Sequence, residues 1–258
     1  MALTIIVLLV IIISALIGLK KGLFRAVIGT LATVIALVLC YLLTPYTSQF
    51  LIQNTKIDDS IEEKVYKKFE VNIEKRIREE YRKTLERDID DETLDSYKNE
   101  YMNQGTERSE KINIIKQINI PSFMSNALIA NDNKDTYEKM GVDNIYRYIS
   151  KSVSYMATNV LACIITFVVI RLLLIILTAV LNSIFGSIKL LAFVDKLGGL
   201  AAGVILGVLI AWLVMAGASV IMGNDFDTAV EGSKVLTFIN NKNVLLHVFT
   251  NVTDVIFK

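Results

Sequence analysis

Few residues in this chain could do chemistry, and they are scattered. There is one histidine, His247. A metal site needs several imidazole or thiolate ligands converging, so a lone histidine beside Asn243 and Asp254 reads as part of the polar side of a tail helix. The two cysteines, Cys40 and Cys163, fall inside apolar runs, where a free thiol behaves as a small hydrophobe. Asp88–Glu92 (DIDDE) gathers carboxylates but lacks the glycine and ligand register of a calcium loop. No nucleophile motif is present. These observations argue against an enzyme, and neither a cofactor nor a metal is expected.

The charges and glycines of the apolar runs carry more information. Arg171 lies sixteen residues after Tyr155 and eleven before Asn182, inside an uninterrupted apolar stretch. An arginine at such depth is costly and normally faces a partner or a wet cavity. It is expected to turn inward, onto backbone carbonyls or the hydroxyls of Thr30 or Thr33. Asp195 opens another apolar run, where it can satisfy the positive end of its own helix or pair with a basic residue of the turn holding Lys20, Lys21 and Arg25. The glycines recur at spacing four: Gly18 and Gly22, then Gly199, Gly203 and Gly207, continued by Ala211. Such ridges let membrane helices approach closely where lipid offers no hydrophobic drive. Gly18 and Gly22 are expected to serve contact with the following helix through Gly29.

The elements that position these residues follow from composition. The chain has 258 residues, 53% of them hydrophobic and 21% charged, with a mean hydropathy of +0.50. The charge is segregated between Lys56 and Arg147, so water-soluble sequence is flanked by membrane sequence. A net charge of +1, with no long basic cluster, excludes a nucleic-acid partner. Leu3–Ile17 and Ala26–Leu43 are free of charge and each close to the length needed to cross a bilayer. The basic turn between them orients the pair under the positive-inside rule. That turn is therefore placed in the cytoplasm, with Met1 outside. No positive charge precedes the first run, which argues against a cleaved signal peptide. Tyr155–Leu181 and Leu197–Met222 are the third and fourth crossings. The fold expected is all-α and polytopic: a transmembrane hairpin over 1–45, a charged helical extracytoplasmic insert over 46–152, two further membrane helices over 153–222, and an extracytoplasmic amphipathic tail over 223–258.

Within that frame Thr44-Pro45 is expected to end the second helix, since proline lacks the amide donor and disfavours helix before it. Ile57–Ile89 carries an apolar residue at every fourth position. A stripe of period four drifts around a helix of 3.6 residues per turn, so the helix must break, near Val71-Asn72, or bend around its neighbours. Thr158, Ala162 and Thr166 form a small-residue ridge on the third crossing. Ser233 and Asn243 look like helix caps, and Leu245–Ile256 carries an amphipathic stripe.

The stretch Ile17–Gly29 (IGLKKGLFRAVIG) resembles the start of the colicin V production protein family. Phe193–Gly207 (FVDKLGGLAAGVILG) is similar to the Asp-(Lys/Arg)-Leu-Gly segment opening that family's last membrane helix. The resemblance covers roughly Met1–Pro45 and Tyr155–Met222. It implies a multi-pass protein of the bacterial cytoplasmic membrane, acting in bacteriocin production or envelope maintenance. Some relatives are fused to a trypsin-like protease, for which this tail leaves no room. Two functions stay open: a non-enzymatic envelope protein, and a small transporter or channel subunit suggested by Arg171 and the glycine-rich helices. The partners expected are the lipid bilayer and either a second copy of the chain or another envelope protein. The candidate residues are Gly18, Gly22, Arg25, Arg171, Asp195, Gly199, Gly203 and Gly207.

Overall fold

The computed structural model describes residues 2–103, 107–185, 192–243 and 245. Among these residues there are eleven helices and no strand. Four helices are long and apolar enough to cross a membrane: α1 (Ala2–Lys21), α2 (Leu23–Asn54), α8 (Ile145–Phe185) and α9 (Ala192–Met222). Their outward surfaces are lined with large apolar side chains such as Leu31, Leu173 and Ile176, each about three-fifths exposed. That surface suits hydrocarbon rather than water. The amphipathic stripe proposed beyond Asn243, with His247, lies outside the described residues except for Leu245.

The chain divides into two compact units. One is built from the chain up to Gln49, the short stretch Ile120–Ser122 and the chain from Asn159 onward; the other from Phe50–Asn119 and Phe123–Thr158. In the first unit, the principal helix pair is α1 on α9. The small-residue ridge of α8 is turned inward: Thr158, at the edge of the second unit, Ala162 and Thr166 are all buried. Two short helices follow α9, α10 (Asn224–Glu231) and α11 (Lys234–Asn240). Ser233 caps α11, its hydroxyl accepting from the Leu236 amide. Asn243 donates to the Trp212 carbonyl at 3.1 Å and accepts from the Leu245 amide, so it ties the chain back to α9.

The helix end expected at Pro45 is absent, and of the two alternatives open for α3 the break is not taken. Pro45 sits inside α2, which runs on to Asn54. Its ring removes the amide that would bond the Tyr41 carbonyl, while the hydroxyls beside it bond other carbonyls of the helix, Thr44 to Cys40 at 2.6 Å and Thr47 to Leu43 at 3.3 Å. Membrane helices commonly tolerate proline in this way. In the second unit α3 (Ile57–Leu85) is likewise unbroken at Val71-Asn72. The drifting stripe is covered unevenly instead: Ile73 is fully buried, Phe69 meets the edge of Tyr146 at 5.3 Å, and Leu85 is half exposed.

The rest of the second unit comprises α4 (Asp91–Asn103), α5 (Arg108–Lys116), α6 (Ser122–Asn131, from Phe123 on) and α7 (Lys134–Met140). Its centre is Tyr148, which is fully buried, stacks on Tyr137 at 4.9 Å and donates to the Leu128 carbonyl at 2.8 Å. Arg147 lies over the Tyr66 ring at 3.7 Å and reaches Glu62 at 3.8 Å. The acidic run is used locally. Asp88 pairs with Arg82 at 2.6 Å, Asp91 pairs with Arg78 at 3.0 Å, and Asp90 accepts from the Thr93 amide at 2.9 Å.

One buried charge stands out in this unit. Asp58 is only 9% exposed and its Oδ1 has no hydrogen-bond partner. Burial, reinforced by neighbouring Asp59, raises its carboxyl above the usual range, against the hydrogen bonds of the Asp58 and Asp59 amides and the weaker pull of Lys151. A carboxyl raised on folding stabilises the fold fully below its unfolded value, and that contribution is lost as pH climbs through the folded value. Asp58→Asn should therefore raise the unfolding temperature at pH 7 and flatten its decline between pH 4 and 7, as read by thermal unfolding of the full chain in detergent. Tyr148→Phe should cost about 1–2 kcal/mol by stranding the buried Leu128 carbonyl, read in the same assay.

Candidate functional site

The two stretches that carry the glycine motifs are far apart in sequence and meet in space. Gly22 is where α1 ends and α2 begins, and its φ of +81° is one that a residue with a Cβ rarely adopts. The Gly22 amide still bonds back to Gly18, and the Gly22 carbonyl accepts from Ala26, each at 3.0 Å. The turn therefore costs almost no backbone pairing. It leaves the first amides of α2 pointing outward without partners of their own.

Asp195, in the first turn of α9, supplies that partner. Its Oδ1 accepts from the Leu23 amide at 2.7 Å. A carboxylate at a helix N-terminus is favoured twice, by the hydrogen bond and by the positive end of the helix dipole. Here the carboxylate caps a different helix from its own. The fit excludes any side chain at Gly22, since a Cβ there would collide with the Asp195 carboxyl group. Three residues further along α9, the Gly198 position is closed by Leu23, whose Cδ1 would lie 2.6 Å from a Cβ.

From this point the two helices run in backbone contact. A methyl at Gly18 would strike the Gly199 carbonyl oxygen and come within 2.9 Å of the Gly203 Cα. A methyl at Gly199 would meet the Gly18 carbonyl oxygen, and one at Gly203 the Ser14 carbonyl oxygen. At Gly207 it would lie 2.7 Å from the Ile11 Cα. Ala211, next on the ridge, is fully buried. Thr30 adds a tie from α2, its hydroxyl lying 2.9 Å from the Ala26 carbonyl and 3.1 Å from that of Ala202 on α9.

Two expectations change against this geometry, those for the α1 glycines and for Arg171. The glycines of α1 face α9 rather than α2, and Gly29 has nothing within 4 Å of a Cβ position. The reason is the turn at Gly22, which directs the small face of α1 toward the other glycine ridge. Asp195 holds a backbone amide, and Lys21 is exposed and forms no ion pair among the described residues. A neutral amide at a helix start satisfies a carboxylate with less side-chain ordering than a flexible lysine would. Arg171 is half-buried on α8 and makes no hydrogen bond or ion pair among the described residues. The hydroxyls proposed for it are occupied by carbonyls of their own surroundings, Thr33 by Gly29 at 2.9 Å and Thr30 as above. Arg25 is exposed near the start of α2. The site thus joins Gly18, Gly22, Asp195, Gly199, Gly203 and Gly207, and Arg171 is not among its contacts. Ile11, Ser14 and Leu23 are members that sequence reasoning missed, because they take part largely through backbone atoms, Leu23 also through its side chain against Gly198.

Gly203→Leu and Gly207→Leu should sharply reduce the yield of monodisperse protein in size-exclusion chromatography. Gly29→Ala should match the wild type or gain up to about 1 kcal/mol from helix propensity. Asp195→Ala should cost about 1 kcal/mol, as loss of a cap does, with Asp195→Asn milder because the amide oxygen still accepts.

No curated protein and no solved structure matches the chain. The family described as colicin V production protein matches over residues 3–69 and 141–244, which takes in both glycine stretches, the Asp195 contact and all four long apolar helices. The chain belongs to the colicin V production protein family.

Proposed function

We propose that this chain is a non-enzymatic, multi-pass protein of the bacterial cytoplasmic membrane that carries a helical extracytoplasmic insert and acts in colicin V-type bacteriocin production or envelope maintenance. The observation that carries the reading is the family match over both motif-bearing stretches. Their residues are spent on holding helices together: Asp195 caps α2, and the glycines admit backbone. Several polar groups of the insert are likewise engaged in ion pairs, caps and aromatic contacts, among them Arg78, Arg82, Asp90 and Arg147. A scaffold role is what such usage supports. The basic turn at Lys20, Lys21 and Arg25 supports the orientation with that turn inside.

Arg171 favours a second reading, a transporter or channel subunit, since a half-buried arginine without a protein partner among the described residues can face a polar path. Flux through proteoliposomes compared between wild type and Arg171→Leu separates the two. Equal background flux supports the scaffold, and flux abolished by the substitution supports transport.

Orientation is tested in intact spheroplasts. Lys67 and Lys98 should label with a membrane-impermeant amine reagent, and trypsin should cut at Arg87, which lies exposed between α3 and α4. Lys20 and Lys21 should label only after lysis. Function is tested by deleting the gene in a bacteriocin-producing host. Secreted activity or detergent resistance should fall and be restored by the wild-type chain; a deletion with neither effect contradicts the proposal.

A further inference from the structure

The chain has two cysteines. They stand 123 residues apart in sequence, yet their sulfurs lie 3.2 Å apart. Both thiols are free, and they are 0% and 3% exposed. Cys40 belongs to α2 and Cys163 to α8, so the contact joins two helices rather than neighbouring turns of one. Cys40 Sγ also lies 3.3 Å from the Cys163 carbonyl oxygen and 3.5 Å from the Thr44 hydroxyl. The same two helices are bridged again by the Thr47 and Thr166 hydroxyls at 2.8 Å.

Packing alone does not demand this arrangement. A cysteine used as a small hydrophobe can be buried anywhere along a helix, and two of them need not face each other. A disulfide bond is about 2.05 Å long, so closing the gap takes a shift of roughly 1 Å, within reach of side-chain rotation. No cysteine exists in the insert or the tail to compete for either thiol.

We propose that Cys40 and Cys163 form a reversible disulfide that ties α2 to α8, written by a lipid-soluble two-electron oxidant of the quinone class. Two S–H bonds break and one S–S bond forms. The two electrons and two protons released reduce the quinone to its quinol. A dithiol restores the pair by thiol–disulfide exchange. The site lies within helices apolar enough to span the membrane, so an oxidant dissolved in lipid reaches it more readily than one confined to water. The helices it would join are those through which the chain enters and leaves the insert, so oxidation fixes both ends of that segment to each other.

The test uses membranes carrying the full-length chain, with the permeant oxidant diamide, whose N=N bond accepts the same two electrons and two protons, and with decylubiquinone. After treatment the protein is denatured in SDS and its thiols are alkylated with a PEG-maleimide. Untreated wild type should show two adducts. Oxidised wild type should show none, run as a monomer on a non-reducing gel, and regain both after dithiothreitol. Cys40→Ala and Cys163→Ala should each keep their single adduct after the same oxidant, since neither has a partner. Two adducts persisting in wild type in membranes and in mild detergent overturns the proposal. So does a disulfide-linked dimer, or loss of the adduct in the single variants. If one variant accumulates poorly, the other still reports whether a lone thiol is oxidised.

Discussion

The contact on which the long apolar helices depend is the approach of the α1 backbone to the α9 backbone. In lipid there is no hydrophobic gain from bringing two apolar helices together, because hydrocarbon already surrounds them. What remains is close packing and the few polar bonds that water does not compete for. Both are present at one place. Gly18, Gly199 and Gly203 leave room for carbonyl oxygens and Cα atoms where any side chain would intrude. The Asp195 carboxylate meets the otherwise unpartnered amide of Leu23. Close packing sets the distance between the helices, and the hydrogen bond sets their register.

Asp195 also explains why the α1–α2 turn has its composition. A turn this tight needs a residue with positive φ, and the carboxylate needs space directly above it. Gly22 meets both conditions. The second unit is assembled by different means. Its interior holds two aromatic pairs, Tyr148 stacked on Tyr137 and Phe69 edge-on to Tyr146. Its ion pairs at Arg78 and Arg82 are largely exposed, and such pairs contribute little each. That unit relies on burial of rings, whereas α1 and α9 rely on the absence of side chains.

Much of this was legible in the amino-acid order. Four charge-poor runs, a charged middle and glycines at spacing four were enough to expect four apolar helices, an all-α fold and close helix contact. What could not be read was which ridge meets which. Spacing identifies a small face but not its partner, so Gly29 was grouped with Gly18 and Gly22 although only the latter two face α9. Asp195 reads as a helix-end carboxylate or an ion-pair partner, and the amide of another helix that it also holds leaves no mark in a sequence. Local rules make Pro45 a helix end, yet α2 runs through it to Asn54. The period-four stripe of α3 admits either a break or a bend around neighbours, and the helix is continuous with its stripe covered unevenly. The meeting of Cys40 with Cys163 has no sequence signal either, since it depends on how α2 lies against α8.

The central claim is that Gly22 and Asp195 occupy one site and are coupled through it. A double-mutant cycle of Gly22→Ala and Asp195→Ala, followed by thermal unfolding in detergent, measures that coupling directly. A Cβ at Gly22 collides with the Asp195 carboxyl group, so trimming Asp195 should relieve part of the cost of Gly22→Ala. The account predicts that the double variant is more stable than the sum of the single losses by about 1 kcal/mol or more, as expected for residues in contact. Losses that add within roughly 0.5 kcal/mol would contradict it, showing that the α1–α2 turn and the start of α9 are independent.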